Sequence, residues 1–306
     1  MRIIVQKFGG TSVATPEGRE AVVRRVRQAL DDGYATVVVV SAMGRQGDPY
    51  ATDTLIQLAQ SAGPDLAPRE MDLLLSCGEI ISSVLMAATL TAAGIPAVAL
   101  TGGQAGIQTD NNYGNAQIVK VDPAPVLSRL REGLVVVVAG FQGVNAAGEV
   151  TTLGRGGSDT TAAALGGALR AEVVEIYTDV DGVKTADPRL VAEARTLSVT
   201  TYDEIAQMAH YGAKVVHPRA VEIAMQHRVP IRVRSTFSAN PGTLITYSAE
   251  AGVIWSEPFS DRVVTAVTHV VGLAQVVVKT GRDWATPRLF RRLANAGISV
   301  DLISVS

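Results

Sequence analysis

Ile3-Ile4-Val5-Gln6-Lys7-Phe8-Gly9-Gly10-Thr11-Ser12 opens as an apolar run of strand type, carries one lysine, and breaks at two consecutive glycines before a helical segment. Strand, glycine turn and helix in that order suit phosphate. Glycines let backbone N–H groups approach an anion with no Cβ in the way, and the helix adds its positive end. Lys7 would add a point charge. The spacing is neither the Walker A pattern, whose lysine follows the glycines, nor the three-glycine dinucleotide fingerprint. On these ten residues alone, a plain tight turn after an edge strand is the competing reading.

Outward from this stretch, strand and helix signals alternate. Glu17 to Leu30 sets Ala21, Val22, Val26 and Leu30 at helical spacing and ends at Gly33. Thr36 to Ser41 is a β-branched run of the kind found in parallel strands covered on both faces. Helices are predicted over Ala51–Ala62, Arg69–Ala92, Pro125–Arg131, Asp203–Ala209 and Arg219–Gln226. Strands are predicted over Ala97–Leu100, Leu134–Ala139, Glu172–Thr178 and Ile231–Ser235, with a small hairpin in Val144–Leu153. Gly154 to Thr161 combines glycines and hydroxyls at the start of an alanine-rich helix ending at Leu169, a second anion-binding candidate. The fold class is therefore α/β, a mostly parallel open sheet between helix layers, with ligands at the carboxyl ends of the strands.

Composition narrows the function classes. The 306 residues are 47% hydrophobic, and 27 basic residues balance 29 acidic ones with no long run of like charge. Nucleic acid is an unexpected partner on this balance. A single cysteine, Cys77, excludes a disulfide framework within the chain, and the N-terminus lacks a signal-peptide layout, so the expected location is cytoplasmic. Ile80 to Thr109 has no charged side chain, but Gly94-Ile95-Pro96 cuts the run, which reads as a buried helix and a core strand and not as a membrane span. Residues 248–261 read as a linker. Beyond it Val263–Val270, Ala274–Lys279, Ala285–Asn295 and Ile298–Val305 form a β-β-α-β pattern too small to hold a core alone.

Seven motifs occur in order: Lys7-Phe8-Gly9-Gly10-Thr11-Ser12, Ser41-Ala42-Met43-Gly44, Ser76-Cys77-Gly78-Glu79, Gly140-Phe141-Gln142-Gly143, Gly154-Arg155-Gly156-Gly157-Ser158-Asp159-Thr160, Thr178-Asp179-Val180-Asp181-Gly182 and Gly212-Ala213-Lys214-Val215. Together they resemble the aspartate kinase family over residues 1 to about 245. The resemblance implies an amino-acid kinase fold over 1–247 and a partial ACT regulatory domain over 262–306. Family members carry two ACT domains, so a chain ending at Ser306 reads as a shortened protein or a piece of a longer one. The unpaired half-domain is expected either to pair with a second chain or to be weakly ordered.

The implied reaction moves the γ-phosphoryl group of Mg²⁺-bound ATP to the β-carboxylate of L-aspartate. A carboxylate is ionised at neutral pH, so the site needs positioning and charge neutralisation and no general base. By the resemblance, Lys7 and Asp159 are the catalytic pair. Thr52, Glu79, Arg155 and Ser158 hold the amino acid, with Arg155 on its α-carboxylate and Glu79 on its α-ammonium. Lys7, Gly9, Gly10, Ser41, Thr178, Asp179 and Lys214 meet the nucleotide, and no residue is assigned to a protein-held metal. Asp159 and Thr52 also read as simple helix caps, and Phe141 as either substrate packing or core. Cys77 is expected to be a small buried residue. The four histidines are expected to be structural or surface groups. Partners are aspartate and ATP, in a homo-oligomer formed through the kinase or ACT regions. Another amino-acid kinase, or a non-catalytic ACT-type regulatory subunit, are the alternatives.

Overall fold

The valine runs form the centre of the molecule. In the computed structural model, which describes residues 1–63, 65–212, 215–247, 264–269 and 285–296, β1 (Ile3–Phe8) pairs in parallel with β2 (Ala35–Val40), and β2 with β6 (Val135–Ala139). Alternate side chains point to opposite faces. Val5, Val37, Val39, Val136 and Val138 pack in one apolar core, and Phe8, Val38, Val40, Val135 and Val137 in the other. Burial on both sides is why these strands read as continuous apolar runs.

The full sheet has eight strands in the order β10 (Val199–Thr201), β12 (Thr243–Thr246), β11 (Ile231–Ser235), β9 (Val173–Thr178), β1, β2, β6 and β3 (Ala97–Leu100). All neighbours are parallel except β11 and β12. A second sheet orders β5 (Ile118–Val121), β4 (Ile107–Thr109), β7 (Gln142–Val144) and β8 (Val150–Thr152), and contains the expected hairpin. β4, β5, β10 and β12 were not legible from the sequence. They have three or four residues each, too few for a period to show.

A four-residue helix α1 (Gly10–Val13) leads into α2 (Pro16–Asp31), which starts at Thr15, whose hydroxyl accepts the Gly18 N–H at 3.1 Å. α3 (Thr52–Ala62), α4 (Pro68–Ala92), α5 (Ala124–Arg131), α6 (Gly157–Leu169), α7 (Tyr202–His210) and α8 (Pro218–His227) complete the layers. α4 buries Asp72, Leu75, Ser76, Glu79, Ser82, Ser83, Met86 and Leu90 along one stripe of helical spacing. Its opposite face leaves Leu73, Val84 and Leu85 exposed, so the helix is half-buried and not wholly internal. Cys77 lies on that outer face and is exposed, contrary to the sequence expectation. It stands one turn from Leu73, whose carbonyl accepts its thiol at 3.5 Å, and away from the stripe that meets the sheet.

Beneath the sheet's ligand end, Glu175 sits buried between three strands. Gln6 Nε2 donates to it at 3.0 Å, the Tyr177 hydroxyl at 2.8 Å and Arg234 Nη1 at 3.0 Å. Burial and the adjacent Glu175 charge push the Tyr177 hydroxyl pKa up, so it remains a donor.

The chain divides into Met1–His269 and Val270–Ser306. Residues 264–269 were expected to be strand and form none. Val267 N–H instead donates to the Thr185 carbonyl at 2.9 Å, and the Thr265 hydroxyl to Glu204 Oε1 at 2.7 Å. In the second unit the expected helix is present as α9 (Ala285–Asn295). The linker at 248–261 and the expected strands at 274–279 and 298–305 lie outside the described residues, as does the pairing expected of the tail. Leu90 is fully buried between α4 and the sheet. Leu90→Ala should lower the unfolding free energy by about 2–5 kcal/mol in denaturant titrations, with the transition still cooperative.

Candidate active site

Because β1, β2 and β6 are parallel, their carboxyl ends open on the same side, where α3, α4 and the start of α6 wall a cleft of about 540 Å³. Lys7 is the penultimate residue of β1 and projects its amine into this space. Its Nζ lies 2.8 Å from Asp159 Oδ1, and the two side chains are only 13% and 14% exposed. Asp159 is the third residue of α6. The N-cap is Gly156, with no side-chain capping bond, so the capping explanation of Asp159 does not hold. An acid in the first turn is favoured by the helix dipole and here also faces an ammonium.

The first glycine loop is locked against the second strand. A Cβ on Gly10 would collide with the Ala42 carbonyl and come within 2.7 Å of the Gly44 carbonyl, while Gly44 N–H donates to the Gly10 carbonyl at 3.1 Å. Glycine is needed there for close approach. Ser41, just past the end of β2, donates its backbone N–H to the Phe8 carbonyl at 3.2 Å and lines the cleft.

Glu79 reaches the cleft from the buried stripe of α4 and is 2% exposed. Its Oε1 accepts the Ala42 N–H at 3.0 Å, and its Oε2 has no hydrogen-bond partner among the described residues. Burial pushes its pKa up to about 8, against an ordinary value of 4.5. A buried carboxyl with one open oxygen is suited to a cationic ligand, whose charge would favour the ionised form. Arg155 lies on the exposed side of the cleft and makes no ion pair among the described residues. Ser158 is buried beside Gly140, and Thr52 also lines the cleft. The cap of α3 is Ala51, so Thr52 is not the capping residue. Phe141 takes a left-handed backbone at φ 69° and turns towards Gly157 on the cleft wall.

Lys7, Gly10, Ser41, Thr52, Glu79, Arg155, Ser158 and Asp159 thus share one cleft. Gly9, Thr178 and Asp179 do not line it. They form a shoulder beside it, because Phe8 pairs with Tyr177 across β1 and β9 and the following residues run alongside each other. The Thr178 hydroxyl donates to Asp179 Oδ1 at 3.1 Å, and Asp179 pairs with Arg45 at 3.0 Å across the exposed lip. Lys214 lies outside the described residues.

Asp72, Arg45 and Arg219 are functional-looking residues that the sequence reading passed over. Asp72 was detectable, since a spacing of seven from Glu79 places two acids on one helix face. Among the described residues no group of three or more acidic, histidine or cysteine side chains could hold a metal alone. The donor set fits a magnesium ion shared with nucleotide phosphates, which needs only one or two carboxylates, and Asp159 is placed to supply one.

Residues 2–235 match the model of the amino acid kinase family. Aspartokinase 1 of Bacillus subtilis is 52% identical over the whole chain, which spans 76% of that protein. The aspartokinase of Geobacillus stearothermophilus is 47% identical over 99% of the chain and 72% of its own length. The crystal structure of E. coli aspartokinase III in complex with aspartate and ADP superposes with a TM-score of 0.74 at 28% identity, covering 100% of this chain and 77% of that one.

Folded Glu79 keeps its proton up to about pH 8, whereas an unfolded carboxyl releases it near 4.5. The native state therefore binds more protons between those values and loses stability as pH rises through them. Melting curves should show Glu79→Gln gaining on the parent protein from pH 5 to pH 9. A constant difference across that range would contradict the burial of a protonated carboxyl.

Proposed function

The chain belongs to the amino acid kinase family, in its aspartokinase branch, and on that premise we propose how its cleft transfers the γ-phosphoryl group of ATP to L-aspartate. The enzyme is an ATP-dependent aspartate kinase, which places it at the head of lysine, methionine and threonine synthesis. A β-carboxylate oxygen bonds to the γ-phosphorus as the bond to the bridging oxygen of ADP breaks, giving 4-phospho-L-aspartate and ADP. No proton moves, so a general base is unnecessary. The barrier lies in bringing two anions together and holding them in line.

The observation that carries this reading is the gathering of Lys7, Asp159, Glu79 and Arg155 in a single cleft. Lys7 stabilises the charge on the transferring group, and Asp159 holds its ammonium in place until nucleotide arrives. Magnesium arriving with the nucleotide supplies further neutralisation of phosphate charge, with Asp159 the nearby acid. Gly9 and Gly10 offer backbone N–H groups to phosphate, Ser41 stands beside the transferred group, and Thr178, Asp179 and Lys214 hold the rest of the nucleotide. Arg155 forks onto the α-carboxylate of aspartate. Glu79 accepts the α-ammonium through its open Oε2, while Ser158 and Thr52 hydrogen-bond substrate oxygens. Residues 262–306 serve as part of an ACT-type regulatory domain. The exposed Leu73, Val84 and Leu85 on α4 support self-association.

Lys7→Ala should cut kcat by roughly 10² or more with aspartate, the scale of one lost transition-state charge contact. Parental kcat in that variant would remove Lys7 from catalysis. Turnover with glutamate but none with aspartate would overturn the substrate assignment.

A further inference from the structure

Arg155 must be held at a fixed distance from Glu79 if the two are to grip the ends of one small amino acid, yet Arg155 is exposed and its side chain has no ion-pair or hydrogen-bond partner among the described residues. Its loop is held instead through its backbone. We propose that Asp72, which borders the cleft with its carboxylate taken up by Thr152 and Gly114, and Arg219 are positioning residues that fix Arg155 relative to Glu79 and so set affinity for aspartate. This rests on the roles given above to Glu79 and Arg155.

Asp72 is fully buried two turns before Glu79 on the same stripe of α4. Its two oxygens accept the Thr152 N–H at 2.7 Å, the Thr152 hydroxyl at 2.7 Å and the Gly114 N–H at 3.0 Å. A carboxylate saturated by three donors needs no further ligand and makes a stiff tie, since a buried charge left short of donors is costly. Arg219, on the first turn of α8, grips the same two strands of backbone from their carbonyl side. Nη1 donates to the Leu153 carbonyl at 3.0 Å and Nη2 to the Ala116 carbonyl at 2.7 Å. Between the clamps, Ala116 N–H donates to the Thr152 carbonyl at 2.8 Å. Gly154, which follows Leu153, packs so closely on residues 114 and 115 that a Cβ there would lie 2.8 Å from Asn115 Oδ1. Arg155 follows immediately.

The arrangement is a splint. Segment 114–116 and segment 152–154 are bonded to each other, tied to α4 by an anion and to α8 by a cation. Because Asp72 and Glu79 are two turns apart on one helix, the anionic tie references the Arg155 loop to the helix that carries the ammonium-binding carboxyl. Glu175 and its partners also form a buried charged network, but it lies among strands that bear nucleotide-side residues and makes no bond to this loop.

Steady-state kinetics on the full chain test the proposal with three variants. Arg219→Lys keeps the charge and loses the fork, Asp72→Asn turns an NH₂ towards N–H donors, and Thr152→Val removes one donor at similar volume. Each should raise KM for aspartate about tenfold while KM for ATP stays within about twofold and kcat at saturating aspartate within about threefold, the pattern of a misplaced binding group. A purely structural role would lower the melting temperature and move both KM values together or neither, and that result overturns the proposal. Arg155→Ala is the reference. If it raises KM for aspartate and the three variants do not, the splint is wrong and the site reading stands. If it leaves KM for aspartate unchanged, the assignment of Arg155 falls and the proposal with it.

Discussion

The contact between Lys7 Nζ and Asp159 Oδ1 is the constraint on which the rest of the site depends. It joins the end of a central strand to the first turn of α6, and hence the glycine loop of residues 9–10 to the loop of residues 154–157. Both groups are largely withdrawn from water, where an unpaired charge of either sign would be costly. Pairing makes the burial of both charges tolerable. It also holds the ammonium oriented into the cleft, which in the proposed reaction would meet phosphate charge with little reorganisation.

The sheet makes this contact possible. Parallel strands covered on both faces deliver their carboxyl ends to one side, so side chains far apart in sequence arrive together. Lys7, Ser41 and Phe141 come from three adjacent strand ends, while Glu79 and Asp72 come from a helix that lies along the same core. Glu79 is the complement of Lys7. One is a cation already satisfied by an anion, and the other is an acid whose burial keeps it protonated until a cation enters. In the proposed reaction the α-ammonium of aspartate is that cation.

Much of this was legible in the sequence because the informative segments are long and locally determined. The valine runs at 36–40 and 134–139, the stripe of α4 and the glycine-bracketed starts of α1 and α6 each announce themselves within a few residues. What failed did so for physical reasons. β4, β5, β10 and β12 are too short to show a period, and β10 and β12 also pair with each other some forty residues apart. Cys77 was misjudged because an apolar neighbourhood in sequence is not burial: α4 has two faces and the cysteine is on the outer one. The spacing of Asp72 from Glu79 shows only that they share a helix face; the partners of Asp72 lie 42 and 80 positions away and those of Arg219 66 and 103, a relation no local pattern carries. Gly9, Thr178 and Asp179 sit on a shoulder and not in the cleft, because the register of β1 against β9 decides where they fall.

The central claim is that this cleft phosphorylates a carboxylate, and the product is an acyl phosphate that hydroxylamine traps as a hydroxamate. Counting β-hydroxamate formed per ADP released with aspartate as acceptor tests it most directly. The expected ratio is near one with aspartate, with no hydroxamate when aspartate is omitted. ADP release without hydroxamate would mean that the phosphoryl group goes elsewhere, and would contradict it.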